Sequence, residues 1–422
     1  MPAEIAIHFF LALAVILGVC RLVGAAAERL GQPRVVGEMI AGVVLGPSLL
    51  GRVAPGVQHD LFPSGTANVV LYTVAQVGLV LYMFVVGLNF DVNHVKQRSG
   101  TAAAVSLAGI VAPLALGALA AVPLLSGGGF FGPNVTLGMA MMFTGASIAI
   151  TAFPMLARII FEKRLSGTSL GTLALACGAT ADAISWCILA VVLAVHRGSA
   201  ATAILAIGGG LVYTVVLLTI GRRGFRAFGT KADEDREVSA TMLSTVLILL
   251  MGCAWLTDAI GIYAIFGAFI LGAAMPSGFF AERLTGIIEP LTTTLLLPLF
   301  FVYSGLNTQI GLVNTPALWA ITLGILVVAV VGKGLACTVA ARWCKVPMRE
   351  AVALGSLMNA RGLIELILLN IGLEAGIITP TLFTILVLVA VVTTLMASPI
   401  FEFAYGRSRT PTNSQRQPVP RV

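Results

Sequence analysis

Long runs of apolar residues separated by short polar stretches are the dominant pattern of this sequence. A helix that crosses a lipid bilayer needs roughly 20 mostly apolar residues. Thirteen stretches fit this length, near 5–27, 34–51, 68–90, 99–125, 138–160, 169–195, 201–221, 238–257, 260–276, 287–305, 317–341, 349–373 and 380–404. Because 238–276 is too long for one crossing, we place a turn at Asp258 and Gly261. The pattern predicts an all-α integral membrane protein with about thirteen transmembrane helices.

The composition supports a lipid environment. Hydrophobic residues make up 58% of the chain and charged residues 10%, whereas a soluble domain carries roughly 25% charged residues. A surface that faces water throughout is therefore excluded. The net charge of +7 would suggest a nucleic-acid partner in a soluble protein. Here the basic residues lie in short loops between apolar runs, so we expect membrane lipid as the surroundings and no nucleic-acid partner.

The distribution of basic residues predicts the orientation of the chain, because cytoplasmic loops carry an excess of Lys and Arg. With the N-terminus outside, 21 of the 25 basic residues fall on one side, and only Arg52 and Arg197 fall on the other. The remaining two, Lys333 and Arg361, lie inside predicted helices. We expect an external N-terminus and a cytoplasmic C-terminus in a bacterial inner (plasma) membrane.

The sequence divides into one membrane domain and a tail. The domain spans 5–405, with halves of about 5–197 and 238–405, and the polar loop 222–237 is predicted to link them. Residues 406–422 are rich in Ser, Pro, Arg and Gln. This composition predicts a disordered cytoplasmic tail.

A few charged residues lie inside the predicted helices: Glu38, Asp182, Lys333, Arg361 and Glu365. A charge at the bilayer centre costs about 2.5–3.5 kcal/mol on insertion scales, so charges at this depth suggest a function. We therefore treat these five residues as candidates for a transport site.

Asp182 is the strongest candidate, near the middle of the sixth predicted helix. Burial disfavours the charged form of a carboxyl, and a nearby cation favours it. A carboxylate balanced in this way holds either a proton or a small cation, and that competition suffices for exchange at one site. The alternative is a structural aspartate hydrogen-bonded to Thr180 or Ser185.

The other charged residues have open roles. Lys333 is predicted to neutralise the carboxylate when no cation is bound, or alternatively to extend towards the membrane surface. Arg361 and Glu365 are four residues apart and can pair on one helix face, either as a structural ion pair or in contact with the ion. Glu38 lies one turn into the second helix and is either functional or partly solvated.

Two predicted helices look interrupted. The fifth contains Pro154, which removes a backbone donor, and the twelfth contains the poorly helical sequence Asn359-Ala360-Arg361-Gly362. Weak helices at corresponding positions of two halves indicate a transporter site. The odd offset of seven helices gives the two halves opposite orientations, which predicts an inverted repeat with helix ends and free carbonyls at the midplane.

No residue pattern indicates an enzyme, a resident metal or a cofactor. The six cysteines lie in or beside apolar runs without a CxxC pair, and the four histidines are scattered at helix ends or loops. Buried cysteines usually act as small apolar residues. We expect no cofactor and no metal beyond a transported cation.

Five stretches resemble a known family: GQPRVVGEMIAGVVLGPSLLGR, GASIAITAFPMLARII, DAIGIYAIFGAFILG, LPLFFVYSGLNT and MNARGLIELILLNIGL. In combination and order they are similar to the signature stretches of the monovalent cation:proton antiporter-2 family, especially its Kef-type and plant CHX-type exchangers. The resemblance covers about residues 5–405.

The resemblance implies thirteen helices in two inverted repeats, with a dimerisation part and a mobile core that contains two crossed, discontinuous helices. It also implies Na⁺ or K⁺ exchange for H⁺ and a homodimer. Asp182 matches the essential aspartate, and Lys333 matches the lysine that partners the acidic site. Thr144, Ser147 and Thr151 fall in the unwound stretch that faces the ion, and Asn359, Arg361, Glu365 and Glu38 are expected to support the core.

The chain departs from the family pattern at Ala181, where many relatives carry Asp or Asn. With a single carboxylate, our hypothesis is electroneutral one-for-one exchange, with Lys333 either paired to Asp182 or unpaired. Two alternatives remain open at this point. One is a channel-like K⁺ efflux pathway, and the other is a membrane sensor that has lost transport.

Overall fold

The computed structural model describes residues 2–62, 66–89, 99–151, 153–163, 165, 168–196, 200–261 and 263–406. These residues are overwhelmingly helical. The first helices are α1 (Pro2–Arg29), α2 (Arg34–Leu45), α3 (Thr66–Leu88), α4 (Ser99–Gly127), α5 (Leu137–Ala149), α6 (Phe153–Glu162), α7 (Ser169–His196), α8 (Ala200–Val216) and α9 (Arg222–Asp235). They are followed by α10 (Ala240–Ala259), α11 (Ala264–Ala274), α12 (Phe279–Leu291), α13 (Leu297–Leu306), α14 (Pro316–Ala329), α15 (Ala336–Trp343), α16 (Met348–Met358), α17 (Leu363–Glu374) and α18 (Pro380–Tyr405).

The helices have the length and composition of a multi-pass membrane protein. Eight helical stretches among the described residues, some of them made of consecutive helices, are long and apolar enough to cross a bilayer, and three shorter apolar stretches accompany them. The all-α membrane architecture is therefore confirmed. The count of thirteen crossings stays a prediction, because several predicted crossings are made of shorter helical pieces.

The proposed division of 238–276 is confirmed. Helix α10 ends at Ala259 and α11 begins at Ala264. Between them, Gly261 has a φ of 84°, a left-handed conformation that glycine adopts without steric cost. The turn therefore lies where the sequence placed it.

The polar stretch predicted as the loop 222–237 is helical over most of its length. A π-helical segment over Leu217–Gly221 joins α8 to α9 without a break. The ring of Phe228 in α9 packs on Phe280 with centroids 6.0 Å apart. Apolar residues at helical spacing thus stabilise α9, and the prediction of a loop was wrong there. The tail beyond residue 406 lies outside the described residues.

Two crossings are interrupted, as the sequence predicted. Helix α5 ends at Ala149 and α6 begins at Phe153, and the intervening Ile150 is extended. Helix α16 ends at Met358 and α17 begins at Leu363. Pro154 is the second residue of α6, where the absence of a backbone N–H costs little. The proline marks the start of the second half-helix rather than a kink.

The helices form two groups. The scaffold group consists of α1–α3 and α10–α13, in which α3 packs on α11 and α13, and α2 packs on α1 and α13. The core group consists of α4–α7 and α14–α18, in which α4 packs on α5 and α7, and α16 packs on α18. Helices α2 and α13 pack closely at Gly42, because a Cβ there would lie 2.4 Å from the carbonyl oxygen of Phe301 in α13. Both interrupted crossings belong to the core group.

Candidate functional site

The carboxyl end of half-helix α5 is the focus of the site. The last carbonyls of a helix lack partners within it and carry partial negative charge. The guanidinium of Arg361 donates to the carbonyl oxygen of Ser147 at 3.0 Å and to that of Ile148 at 2.7 Å. The ammonium of Lys333 donates to the carbonyl oxygen of Ala149. Two buried cations thus satisfy three consecutive carbonyls at the break in α5–α6.

Lys333 reaches this position from an irregular part of its helix. A π-helical segment over Val330–Leu335 joins α14 to α15 and contains Lys333. The lysine side chain is fully buried, so the alternative that it extends to the membrane surface is wrong. Segments of this type are frequent at functional sites. In the sequence, the pair of glycines that flank Lys333 is the signal of this irregular segment.

Arg361 and Glu365 form the ion pair that their spacing permits. Arg361 lies in the break between α16 and α17, and Nη1 of Arg361 is 3.1 Å from Oε1 of Glu365. Both side chains are buried, and Oε2 of Glu365 has no hydrogen-bond partner among the described residues. Glu365 therefore places one negative charge beside the two cations that cap α5.

Thr394 in α18 contacts the unwound backbone of the second break. Its hydroxyl oxygen accepts the backbone N–H of Arg361 at 3.0 Å and lies 2.9 Å from the carbonyl oxygen of the same residue. Sequence reasoning missed this residue. Its signal in the sequence was the pair Thr393-Thr394, which interrupts an apolar run of α18.

Neutral oxygens line the same region. Thr144, Ser147 and Thr151 are all fully buried at the end of α5 and in its break. The hydroxyl of Ser147 donates to the carbonyl oxygen of Thr144 at 2.9 Å. The hydroxyl oxygens of Thr144 and Thr151 and the amide oxygen of Asn359 have no hydrogen-bond partner within the described part of the chain. Oxygens of this kind suit hard cations.

Asp182 lies in α7, which packs against both α5 and α6. Its side chain, like that of Trp186, lies outside the described residues. The two hydroxyls that a structural aspartate would use are engaged elsewhere. Thr180 donates to the carbonyl oxygen of Ala176, and Ser185 donates to that of Ala181, each at 2.8 Å.

Glu38 does not belong to this cluster. It lies in α2 of the scaffold group, with an exposed fraction of 5%. The alternative of a partly solvated residue is therefore wrong. The structure brings together Lys333, Arg361 and Glu365 with the end of α5, and it places Glu38 in the other helix group.

Comparison with known proteins gives a family match over most of the chain. A family model described as sodium/hydrogen exchanger, transmembrane, matches residues 12–404. The chain is 41% identical over 389 residues to the Na(+)/H(+) antiporter NhaS4 of Synechocystis sp., covering 92% of this chain and 94% of that protein. It is 33% identical to cation/H(+) antiporter 17 of Arabidopsis thaliana, and it spans 50% of the length of that relative.

A solved structure shares the fold. The sodium proton antiporter MjNhaP1 from Methanocaldococcus jannaschii superposes with a TM-score of 0.68 and 16% identity, over 95% of this chain and all of that one. At that identity the likeness shows the fold alone. The family resemblance seen in the sequence is confirmed by the family match. This chain belongs to the transmembrane sodium/hydrogen exchanger family.

Proposed function

We propose that this protein is a secondary antiporter that exchanges a monovalent cation, Na⁺ or K⁺, for H⁺. Asp182 binds the cation and the proton in alternation. The observation that carries the proposal is the capped end of α5, where Arg361 and Lys333 meet three carbonyls beside unpaired neutral oxygens. The helix that carries Asp182 packs on this break. Similar proteins bear names that include Na(+)/H(+) and K(+)/H(+) antiporter.

Lys333 and Arg361 place two positive charges at fixed positions in the site. Lys333 and Arg361 neutralise the partial charge of the carbonyls of α5, which is otherwise costly in a bilayer. In the proposed mechanism neither cation leaves these carbonyls when the ion binds. The exchange then depends on which particle occupies Asp182, and Lys333 acts as the charge partner of that carboxylate.

A charge count supports electroneutral exchange. Among the described residues of the core group, the fully buried charges are Lys333, Arg361 and Glu365. An ionised Asp182 brings their sum to zero. A proton or a monovalent cation bound there adds one positive charge in either case, so both loaded forms carry the same charge. Ala181, which is buried beside Asp182, adds no second carboxylate that would break this equality.

The remaining features of the proposal concern assembly and orientation. The core group moves as a unit against the scaffold group, in the manner that the family resemblance implies. The protein works as a homodimer in a bacterial inner membrane, with its N-terminus outside and its C-terminus in the cytoplasm. The linker role of 222–237 is then performed by α9, a helix rather than a loop.

The test is a transport assay in proteoliposomes with an entrapped pH dye. Pulses of Li⁺, Na⁺, K⁺ or Rb⁺ should each be followed for an internal pH change, at zero potential and at an imposed membrane potential. We expect a cation-driven pH change whose rate does not follow the potential. Cation flux without a pH change would favour a channel-like pathway, and the absence of both would favour a sensor. A rate that follows the potential at fixed gradients would rule out electroneutrality.

A further inference from the structure

We propose that the amide oxygen of Asn359 is a ligand of the transported cation and helps the site to discriminate among alkali cations. The inference rests on the proposed function, and it gives Asn359 a specificity role instead of a purely supporting one. It is carried by the position of Asn359 and by its unpaired acceptor oxygen.

Asn359 lies at the crossing of the two interrupted helices. It is the first residue after α16, two residues before Arg361, which donates to the end of α5. A Cβ placed on Gly334 would lie 4.0 Å from Nδ2 of Asn359. Gly334 follows Lys333, which donates to Ala149. Two residues near Asn359 therefore contact the end of α5: Arg361, which is close in the chain, and Lys333, which is next to Gly334.

The side chain of Asn359 has no capping role that would explain it. The carboxyl end of α16 is closed by backbone hydrogen bonds, from the N–H of Asn359 to the carbonyl of Ser356 and from the N–H of Ala360 to that of Leu357, both at 3.1 Å. The exposed fraction of Asn359 is 3%, and its Oδ1 has no hydrogen-bond partner among the described residues. A buried acceptor without a donor is costly, so this oxygen is expected to have a ligand.

A cation is the ligand that the surrounding chemistry favours. Amide and hydroxyl oxygens are hard ligands that replace the hydration shell of an alkali cation. Thr151 from the first break presents a buried hydroxyl oxygen without a hydrogen-bond partner in the described part of the chain, and Asn359 presents its oxygen from the second break. A proton on Asp182 needs neither of these oxygens. The neutral ligands should therefore affect cation binding and leave proton binding nearly unchanged.

Asn370 offers a matched control on the same interrupted crossing. It is buried like Asn359, with an exposed fraction of 6%. Both ends of its amide are engaged, because Oδ1 accepts from Asn307 at 3.1 Å, and Nδ2 donates to the carbonyl of Leu366 at 2.8 Å and lies 3.3 Å from Oγ of Ser304. Truncating Asn370 removes a buried asparagine without removing an unpaired oxygen.

The experiment measures the melting temperature of the purified full-length protein in detergent with increasing Li⁺, Na⁺, K⁺ or Rb⁺. A cation that binds the folded state stabilises it by RT ln(1 + [cation]/Kd), so a fit of the melting temperature against cation concentration gives Kd, the half-saturating concentration. For Asn359→Ala we expect the half-saturating concentration of the preferred cation to rise about tenfold, with a changed order among the four cations. Asn370→Ala should lower the melting temperature without cation and leave that order unchanged.

A second variant covers the case in which Asn359→Ala fails to fold. Asn359→Asp keeps the size of the side chain and adds a charge, and it should shift the half-saturating cation concentration with a new dependence on pH. The inference is overturned if either folded variant binds the four cations with the same half-saturating concentrations and in the same order as the wild type. It is also overturned if no cation stabilises the wild type. The inference and the proposed function can fail separately. If cations stabilise the wild type but not Asn359→Ala, the inference is supported. If the same wild type shows no exchange in proteoliposomes, the antiporter function alone is rejected.

Discussion

Arg361 donates to the carbonyl oxygen of Ile148 over 2.7 Å, and this bond joins the break of one interrupted crossing to the end of the other. Each crossing loses backbone hydrogen bonds where it unwinds, which is costly away from water. The second crossing supplies the donors that the first lacks. The two breaks therefore stabilise each other, and the site exists only where they meet.

The first prediction concerns this junction. Arg361→Met should lower the free energy of unfolding by about 3–5 kcal/mol, because it leaves the carboxylate of Glu365 buried without a partner. The measurement is reversible unfolding in mixed detergent micelles. Arg361→Met combined with Glu365→Gln should recover part of the loss, since no buried charge is then unpaired. A double variant no more stable than Arg361→Met would contradict the ion-pair explanation.

The second prediction concerns Lys333. Lys333→Ala leaves the carbonyl of Ala149 without its donor, at a cost of about 1–3 kcal/mol, but it retains the carboxylate that exchanges the ions. We expect measurable exchange, a lower melting temperature, and a pH profile displaced to higher pH because a positive charge has been removed from beside the site. Lys333→Arg, which keeps the charge, is the control. An unchanged pH profile together with an unchanged melting temperature would argue against the proposed role.

The third prediction concerns Ala181. Ala181→Asp introduces a second carboxylate next to Asp182, so the proton-loaded and cation-loaded forms need no longer carry equal charge. The exchange rate should become sensitive to an imposed membrane potential at fixed gradients. Ala181→Ser, which adds a polar group without a titrating charge, should leave the rate insensitive. Potential dependence in the wild type and in both variants alike would remove the basis of the one-carboxylate account.

The fourth prediction concerns the contact between the scaffold and core groups. Asn307 follows α13 of the scaffold, and its Nδ2 donates to Oδ1 of Asn370 in α17 of the core. Nearby, the hydroxyl of Tyr303 donates to Glu374 at 3.2 Å. Movement of the core must break these bonds. A double-mutant cycle of Asn307→Ala and Asn370→Ala should give a coupling of about 0.5–1.5 kcal/mol in stability. Additive effects would show that the contact is energetically unimportant.

The sequence was informative where the bilayer restricts the backbone. A helix pairs its backbone groups within itself and so crosses lipid without unpaired ones. Apolar length therefore located the crossings, and Pro154 and Gly362 marked the breaks. The pairing of Arg361 with Glu365 followed from helical periodicity. These features depend on residues close together in the chain.

The contacts that make the site depend on distant residues and were not predictable in the same way. Lys333 and Ala149 are 184 residues apart, and their contact requires both the crossing of the breaks and the π-helical segment around Lys333. Thr394 reaches Arg361 across 33 residues and carries no charge to draw attention. The helix α9 was missed because its polar composition resembles a loop, and its two packed aromatic residues were the only opposing signal.

The most direct test of the central claim is cation-driven proton movement in proteoliposomes that contain Asp182→Asn. The variant keeps the size of the side chain and one acceptor oxygen, but it neither titrates nor carries a charge. Gel filtration and the melting temperature establish that it is folded. The account predicts that Na⁺ and K⁺ pulses produce no internal pH change in this variant, whereas they do so in the wild type. Retained exchange in a folded Asp182→Asn protein would contradict it.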